Sequence, residues 1–303
     1  MSLKSALSGA VVVLVVARAS ASELPRPDHT VVVVMENHSY SDIIGNSSAP
    51  YINSLRGMGA SFTESFGVGH PSEPNYLGLF AGTTEGITDD SCPHTWSDPN
   101  LASELLAGGL TFAGYSESMP GTGYTGCTSG NYARKHNPWV NFTNVPATAN
   151  RTFADFPGDF TLLPTVSFVV PNLCSDMHDC SVATGDAWLR THIDAYVQWA
   201  QAHNSLLVLT FDESDPANQI PTIFVGSMVR RGDVVDRIDH YSVLRTLEDM
   251  YSLLPTGRSA SSTPILSAFL APTPTPTPTP EARAPLPLSR TPRPPGAVRF
   301  RTP

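Results

Sequence analysis

Continuous apolar runs rich in β-branched residues recur along the chain and predict buried strands. These runs cover residues 30–35, 165–170, 205–211 and 222–225. Between them lie segments with helical patterning, at residues 51–58, 101–106, 185–202 and 241–253. Strands buried on both faces and alternating with helices are typical of a mostly parallel sheet covered by helices on each side. The pattern therefore predicts an α/β fold with a central sheet sandwiched between helices.

Polar side chains follow the predicted strands directly. Glu36 and Asn37 come after the first strand, and Asp212 and Glu213 come after the third. Ligands of open α/β sheets bind beyond the carboxyl ends of the strands, so we expect these side chains to share one site. Each acid alone is better explained as a helix cap or a solvated loop acid. Several carboxylates in one place, however, repel each other unless a cation or protons neutralise them, which predicts a divalent metal ion of unknown identity.

Ser72 stands at the start of a short predicted helix over residues 73–80, with Pro74 in its first turn. The first turn of a helix offers unpaired N–H groups and the positive end of the helix dipole, which suit a phosphate anion. The same groups can activate a serine hydroxyl as a nucleophile. The alternative is that Ser72 serves only as a helix cap.

Two histidines stand next to charged residues in the sequence. His136 follows Arg134 and Lys135, two cations that could meet a phosphate, and His240 opens the predicted helix after Asp239. Either histidine could bind a metal ion or transfer a proton to a leaving oxygen. A structural role is the alternative for each of them.

A third histidine lies between two cysteines. His178 is flanked by Asp176 and Asp179, which could orient its ring, inside the segment 174–180. The four cysteines stand at positions 92, 127, 174 and 180, and three disulfide connectivities are open. We favour Cys174–Cys180, which would hold this loop in shape, together with Cys92–Cys127. Thiolate zinc binding is the alternative, although the C-x₂-C spacing typical of such sites is absent.

The two ends of the chain differ in composition from the rest. Residues 1–21 combine a positive start, a short apolar run and a small-residue stretch, as in a cleaved secretory signal peptide; an uncleaved membrane anchor is the alternative. Residues 272–303 hold 11 of the 28 prolines and open with a Pro-Thr repeat, which predicts a disordered, extended tail that could contact the cell wall. One folded domain over residues 22–271 remains, and we expect the protein to be secreted or to lie in the cell envelope.

Charge excludes one class of partner. The whole chain carries −9 at pH 7, the tail contributes +4 and the leader +2, so residues 22–271 carry −15. Nucleic-acid backbones are held by basic surfaces, so we expect no nucleic-acid partner. No other segment is long and apolar enough to predict a membrane span once the leader is removed.

Five motifs follow one another along the chain: Glu36-Asn37-His38-Ser39-Tyr40, His70-Pro71-Ser72-Glu73-Pro74-Asn75-Tyr76, Lys135-His136-Asn137-Pro138, Asp176-Met177-His178-Asp179 and Phe211-Asp212-Glu213. In this order they resemble the bacterial phosphoesterase family of acid phosphatases and phospholipases C, within the alkaline-phosphatase-like superfamily. The resemblance covers about residues 28–255, and within the family it is strongest to secreted mycobacterial acid phosphatases that act on phosphoinositides.

The resemblance implies a catalytic domain with an alkaline-phosphatase-like fold and attack on phosphorus through a phosphoenzyme. It implies Ser72 as the nucleophile, with His136 and His178 contacting phosphate or handling protons and Asp179 orienting His178. The remaining candidates fall into two groups. The substrate-binding candidates are Asn75 and Lys135, and the metal-binding candidates are Glu36, Asn37, Asp212, Glu213 and His240.

Three functions remain open at this point. A phosphatase acting on the phosphate monoester of a small molecule or a lipid headgroup is the first hypothesis. A phospholipase C-type phosphodiesterase has the same catalytic groups, although we expect such lipases to carry further C-terminal domains. A non-catalytic cell-surface binding module is the third, but every motif position with a chemical role holds a competent side chain.

Overall fold

A computed structural model describes residues 24–271, so the predicted signal peptide (1–21) and Pro/Thr-rich tail (272–303) lie outside the described residues. The strands are β1 (His29–Met35), β2 (Ala60–Phe66), β3 (Phe112–Ser116), β4 (Thr128–Ser129), β5 (Tyr132–Ala133), β6 (Asn150–Thr152), β7 (Val166–Val170), β8 (Ser205–Phe211), β9 (Thr222–Val225) and β10 (Gly232–Asp239). The α-helices are α1 (Tyr40–Ile43), α2 (Pro50–Met58), α3 (Ser72–Ala81), α4 (Leu101–Ala107), α5 (Val182–His192), α6 (Asp194–Ala202) and α7 (His240–Met250).

Short 3₁₀ turns supplement these elements. They cover Arg134–His136, Pro138–Asn141, Ala147–Ala149, Phe153–Asp155, Phe160–Leu162 and Gly257–Ser261. Among the described helices, none combines the length and apolar character that a bilayer crossing requires.

An eight-stranded sheet forms the centre of the described domain, in the order β10-β2-β9-β8-β1-β7-β3-β6. Strand β9 runs antiparallel to both of its neighbours, and every other neighbouring pair is parallel. β4 and β5 form a separate antiparallel pair. The predicted mostly parallel sheet is therefore confirmed.

Strand β1 shows how the sheet divides the core. Val32 and Val34 pack into one apolar cluster, which includes side chains of α3, α4 and α7. Val31, Val33 and Met35 pack into a second cluster, which includes side chains of α2, α5 and α6. Successive residues of a strand point to opposite faces, so a continuous apolar run serves both layers. The predicted sandwich of helices around the sheet is confirmed.

The helix predicted over residues 185–202 is wrong as a single element. It is two helices, α5 and α6, which meet at Ile193, where the backbone turns to φ −113° and ψ −22°. Ile193 is fully buried at this bend. The helix predicted over 241–253 ends earlier, at Met250.

Both favoured disulfides are present, Cys92–Cys127 and Cys174–Cys180. All four cysteines are engaged in them, so none is free. This pairing removes thiolate zinc binding as an explanation of the cysteines.

One buried carboxylate ties together two helices of the same layer, α2 and α5. Asp186 of α5 accepts hydrogen bonds from the N–H groups of Tyr51 and Ile52, at 3.1 and 2.8 Å, in the first turn of α2. It thus satisfies helix N–H groups that have no partner within their own helix. We expect Asp186→Ala to lower the free energy of unfolding by about 2 kcal/mol, because two buried donors lose their acceptor.

Urea denaturation followed by circular dichroism measures this loss. Asp159→Ala is the matched control, since Asp159 accepts a hydrogen bond from the N–H of Thr161 at an exposed position. Equal losses in the two variants would contradict the role given to Asp186.

Candidate active site

The carboxyl ends of β1 and β8 bring two acids together. Met35 and Phe211 are paired across these neighbouring strands, so Glu36 and Asp212 emerge side by side. The Asn37 N–H donates to Asp212 Oδ1 at 2.9 Å. Both carboxylates are almost completely buried, at 0% and 1% exposure. The expected meeting of acids at this edge of the sheet therefore occurs for this pair.

Ser72 is the first residue of α3, and its hydroxyl points to the same acids. Ser72 Oγ donates to Glu36 Oε2 at 3.0 Å. The helix cap is Pro71, and Ser72 follows it as the first helical residue. The alternative that Ser72 is only a helix cap is therefore wrong.

Tyr76 is a site residue that the sequence analysis did not single out. Its hydroxyl donates to Glu36 Oε1, and its ring stacks on His136 with centroids 5.0 Å apart and an interplanar angle of 12°. A signal for it existed, because a residue four positions after Ser72 lies on the same face of a helix.

His136 joins the cluster together with Asp176. His136 Nε2 lies 3.2 Å from Glu36 Oε1, and its Nδ1 lies 3.4 Å from Asp176 Oδ2. These three side chains are buried and offer ligand atoms that all lie within 4.8 Å of one another, so they could hold a metal ion. Asp176 was expected only to orient His178. Its Oδ1 instead accepts a hydrogen bond from the His178 N–H at 2.8 Å, while its Oδ2 faces His136.

The electrostatics of the cluster call for a positive charge. Burial, followed by the charges of Asp212 and Asp176, raises the pKa of Glu36 well above its ordinary value. Burial is also the main cause that raises the pKa of Asp176 and of Asp212 to about 7. Asp176 Oδ2 and Asp212 Oδ2 are buried and accept no hydrogen bond from the described residues. Unpartnered buried carboxylate oxygens beside an imidazole suit a divalent cation.

Lys135 brings a positive charge to the start of α3. Its Nζ donates to Asp90 Oδ2 at 2.8 Å, and Asp90 Oδ1 accepts the N–H of Glu73 at 2.9 Å. Burial lowers the pKa of Lys135, but the hydrogen bond and charge of Asp90, with smaller contributions from Glu36 and Asp212, outweigh burial and raise it. The ammonium group therefore remains charged beside the site.

His178 and Asp179 are placed as the sequence suggested. His178 Nδ1 lies 2.7 Å from Asp179 Oδ1, and the His178 ring is 28% exposed. Its centroid lies 5.9 Å from that of His136. Because Asp179 engages Nδ1, Nε2 is the nitrogen of His178 that is free to face a substrate.

Asn75 and His240 have positions that differ from their predicted roles. The Asn75 side chain accepts the N–H groups of Val68 and Gly69 and donates to the carbonyls of Gly69 and Pro71, at 2.8–3.1 Å. All its hydrogen-bonding capacity is thus used to shape the loop before Ser72, and none remains for substrate. His240 Nε2 donates to the backbone carbonyl of Asp212 at 2.6 Å and fixes the end of β8 instead of facing a metal ion.

Asn37 and Glu213, the other predicted metal ligands, border an open cavity beside the buried cluster. Asn37 is exposed, and the Glu213 carboxylate contacts His70. The cavity measures about 530 Å³. The predicted metal set is thus divided, with Glu36 and Asp212 inside the buried cluster and Asn37 and Glu213 lining this cavity.

Comparison with known proteins identifies the family. The model of the phosphoesterase family matches residues 46–254. The phosphatidylinositol-3-phosphatase of Mycobacterium tuberculosis is 53% identical over 251 residues, which cover 81% of this chain and 84% of that protein. A probable acid phosphatase of Kluyveromyces lactis is 29% identical over 260 residues, which cover 78% of this chain but only 61% of the yeast protein.

Solved structures show the same fold at low sequence identity. An alkaline phosphatase superfamily protein from Vibrio parahaemolyticus has a TM-score of 0.57 and 12% identity, with 80% of this chain and 71% of that chain covered. The lipoteichoic acid synthase LtaP from Listeria monocytogenes has a TM-score of 0.56 and 11% identity, with 82% and 77% covered. These likenesses confirm the predicted alkaline-phosphatase-like fold. Together with the family match they confirm the predicted membership: the chain belongs to the phosphoesterase family and is a hydrolase that acts on phosphate esters.

Proposed function

We propose that this chain is a secreted acid phosphatase that hydrolyses phosphate monoesters with Ser72 as its nucleophile at a metal-assisted site. The observation that supports this most is the position of the Ser72 hydroxyl. It lies at the first residue of α3, 3.0 Å from Glu36 Oε2, within a cluster that also contains Asp212. A nucleophile next to a proton acceptor, at a helix N-terminus that favours anions, is suited to attack on phosphorus.

Each step of this reaction has a residue in position to perform it. Ser72 Oγ forms a bond to phosphorus while the bond from phosphorus to the ester oxygen breaks, and the serine proton passes to Glu36 Oε2. His178 Nε2 delivers a proton to the leaving oxygen, with Asp179 holding the opposite side of the ring. Water then attacks the phosphoserine while His178 Nε2 takes its proton, and Glu36 returns the first proton to the Ser72 oxygen as inorganic phosphate leaves.

Glu36 and Asp212 are the proposed core of the metal site, since they belong both to the predicted ligand set and to the buried cluster. His136 and Asp176 complete it from the side of the cluster, and Asn37 and Glu213 stand at its entrance. A divalent cation bound there would offset the negative charge of the phosphoryl oxygens and of the serine oxygen. Tyr76 holds Glu36 Oε1 by its hydroxyl, which fixes the orientation of this carboxylate.

The substrate we propose is a phosphate monoester that includes the headgroup of a phosphoinositide. Support comes from the 53% identity to a protein named as a phosphatidylinositol-3-phosphatase. Lys135, held at the start of α3, is the proposed contact for the phosphate oxygens. Two disulfides support a location outside the cytosol, because such bonds persist in oxidising compartments.

Turnover of three substrates by the purified, disulfide-bonded chain tests this function. The substrates are 4-nitrophenyl phosphate, bis(4-nitrophenyl) phosphate and phosphatidylinositol 3-phosphate in vesicles, each with and without a chelator. We expect the two monoesters to be hydrolysed at least about tenfold faster than the diester. Chelation should abolish turnover, and a divalent cation should restore it. Faster turnover of the diester would assign the chain to phospholipase C-type chemistry. If folded, metal-supplied protein turns over none of the substrates, the chain is a non-catalytic binding module.

A further inference from the structure

Asp90 bridges the Lys135 side chain and the first turn of α3, next to Ser72. Its Oδ1 accepts the N–H of Glu73, the residue after Ser72, at 2.9 Å. Its Oδ2 accepts from Lys135 Nζ at 2.8 Å. The two oxygens of the Asp90 carboxylate thus link the Lys135 ammonium to the first turn of α3, at the backbone N–H of the residue after Ser72.

We propose that Asp90 is a positioning residue, which holds the Lys135 ammonium beside the first turn of α3 so that it meets the phosphate of the substrate. This role depends on the proposed function, because it requires Lys135 to contact that phosphate. Asp90 itself touches neither the substrate nor the nucleophile.

A lysine needs such a partner in this environment. Its ammonium is a compact charge on a flexible four-carbon stem, and it follows the strongest nearby negative charge. Glu36 and Asp212 both act on Lys135 electrostatically. Without Asp90, the ammonium would move toward these buried carboxylates and become their counter-charge. Asp90 therefore keeps Lys135 available to an incoming anion.

The Cys92–Cys127 disulfide ties the two ends of this ion pair. Asp90 lies in the connection between α3 and α4, which contains no helix and whose pairing is limited to an isolated bridge at Trp96. Cys92 follows Asp90 by two residues. On the other side, the Cys127 carbonyl accepts the N–H of Arg134, the residue before Lys135, at 2.9 Å. The disulfide thus fixes an otherwise irregular loop at the place where its carboxylate is needed.

Asp90→Asn separates this role from simple capping of α3. An asparagine oxygen still accepts the Glu73 N–H, so the cap survives while the charge that holds Lys135 is lost. We expect the KM for 4-nitrophenyl phosphate and the dissociation constant for inorganic phosphate, measured by calorimetry, each to rise about tenfold. The kcat should change little, as expected for loss of binding that is shared by ground state and transition state.

Asp89→Asn is the matched control. Asp89 is the neighbouring carboxylate, but it is fully exposed and accepts its hydrogen bonds from Ser91. This variant should leave KM and the phosphate dissociation constant unchanged. A melting curve of both variants, with equal midpoints, would show that neither change acts through unfolding.

A double-mutant cycle with Lys135→Met tests whether Asp90 acts through Lys135. Residues that act on one interaction are not additive, so Asp90→Asn should add nothing in the Lys135→Met background. Three results would overturn the proposal: additive effects in the cycle, an unchanged phosphate dissociation constant in Asp90→Asn, or tighter phosphate binding by that variant. Tighter binding would show that Asp90 competes with phosphate for Lys135.

The phosphate measurements are repeated in a Ser72→Ala background, where they do not depend on turnover. If Ser72 is not the nucleophile, only the kinetic results are affected. The phosphate dissociation constants still test the role of Asp90.

Discussion

Ser72→Ala should lower turnover of an aryl phosphate monoester by at least about a thousandfold, because it removes the hydroxyl that we propose as the nucleophile. Only one hydroxyl is lost, and it donates a hydrogen bond to Glu36, so the fold and the proposed metal-binding carboxylates should survive. Phosphate binding should be largely retained, since the N–H groups of α3 and Lys135 remain. Stopped assays with 4-nitrophenyl phosphate, together with calorimetric titration of phosphate, measure the two quantities separately.

Ser181→Ala provides the control for a serine that is a helix cap. Ser181 accepts the N–H of Thr184 at the start of α5, so its loss should cost about 1 kcal/mol of stability and leave turnover unchanged. Near-normal turnover by folded Ser72→Ala protein would contradict the proposed mechanism and indicate attack on phosphorus by water instead.

Asp212→Asn should have the second-largest effect, and it acts on the cation. We expect the apparent affinity for the activating divalent cation to fall by at least about a hundredfold, because a buried carboxylate ligand loses its charge. Asparagine keeps an oxygen for the Asn37 N–H, so this hydrogen bond should survive. Turnover as a function of cation concentration gives the shift, and Asp159→Asn, a change at an exposed acid, should give none.

Stability without metal gives a second readout for the same variant. Burial is the main cause that raises the pKa of Asp212 to about 7, from an ordinary value near 4. In the metal-free parent the folded state therefore loses stability as the pH rises from about 4 to about 7, because the buried carboxyl must lose its proton. Asparagine carries no charge to bury. The metal-free variant should therefore gain stability relative to the parent as pH rises from 4 to 7, as followed by thermal unfolding. A constant difference across that range would contradict the assignment of Asp212 to the buried cluster.

The sheet centre could be predicted because its local signal and its tertiary environment agree. The runs at 205–211 and 222–225 match β8 and β9 residue for residue, since a strand buried on both faces needs apolar residues throughout. The meeting of Glu36 and Asp212 followed from the predicted ends of β1 and β8. Edge strand β10 was not predicted, because most of its residues are exposed and several are charged, such as Asp233 and Arg237.

Strand β3 shows a different limit. Gly114 weakens its strand pattern, yet the glycine is there because Trp139 packs directly against the backbone. A Cβ atom at Gly114 would lie 2.1 Å from the Trp139 ring. Gly114 is thus required by its contact with a residue 25 positions later in the sequence, which a local sequence pattern cannot reveal.

Side-chain roles within the motifs were harder to assign than the motifs themselves. Asn75 stands three residues after Ser72, which suggested contact with substrate, but its four hydrogen bonds to backbone decide otherwise. Asp176 stands beside His178 in sequence and faces His136 in space. Proximity along the chain places a residue near a site, and only the fold decides which partner its polar atoms meet.

The two disulfides bear on how the protein should be produced. A reducing bacterial cytosol leaves such thiols unpaired, whereas the apolar clusters on both faces of the sheet do not depend on them. Closing the short loop between Cys174 and Cys180 restrains little of the unfolded chain, so its absence should cost little global stability. Cytosolic material can therefore be folded and still have loosened loops around Lys135 and His178. Kinetic constants should be taken from protein oxidised in the periplasm or during refolding, with free thiols counted before each assay.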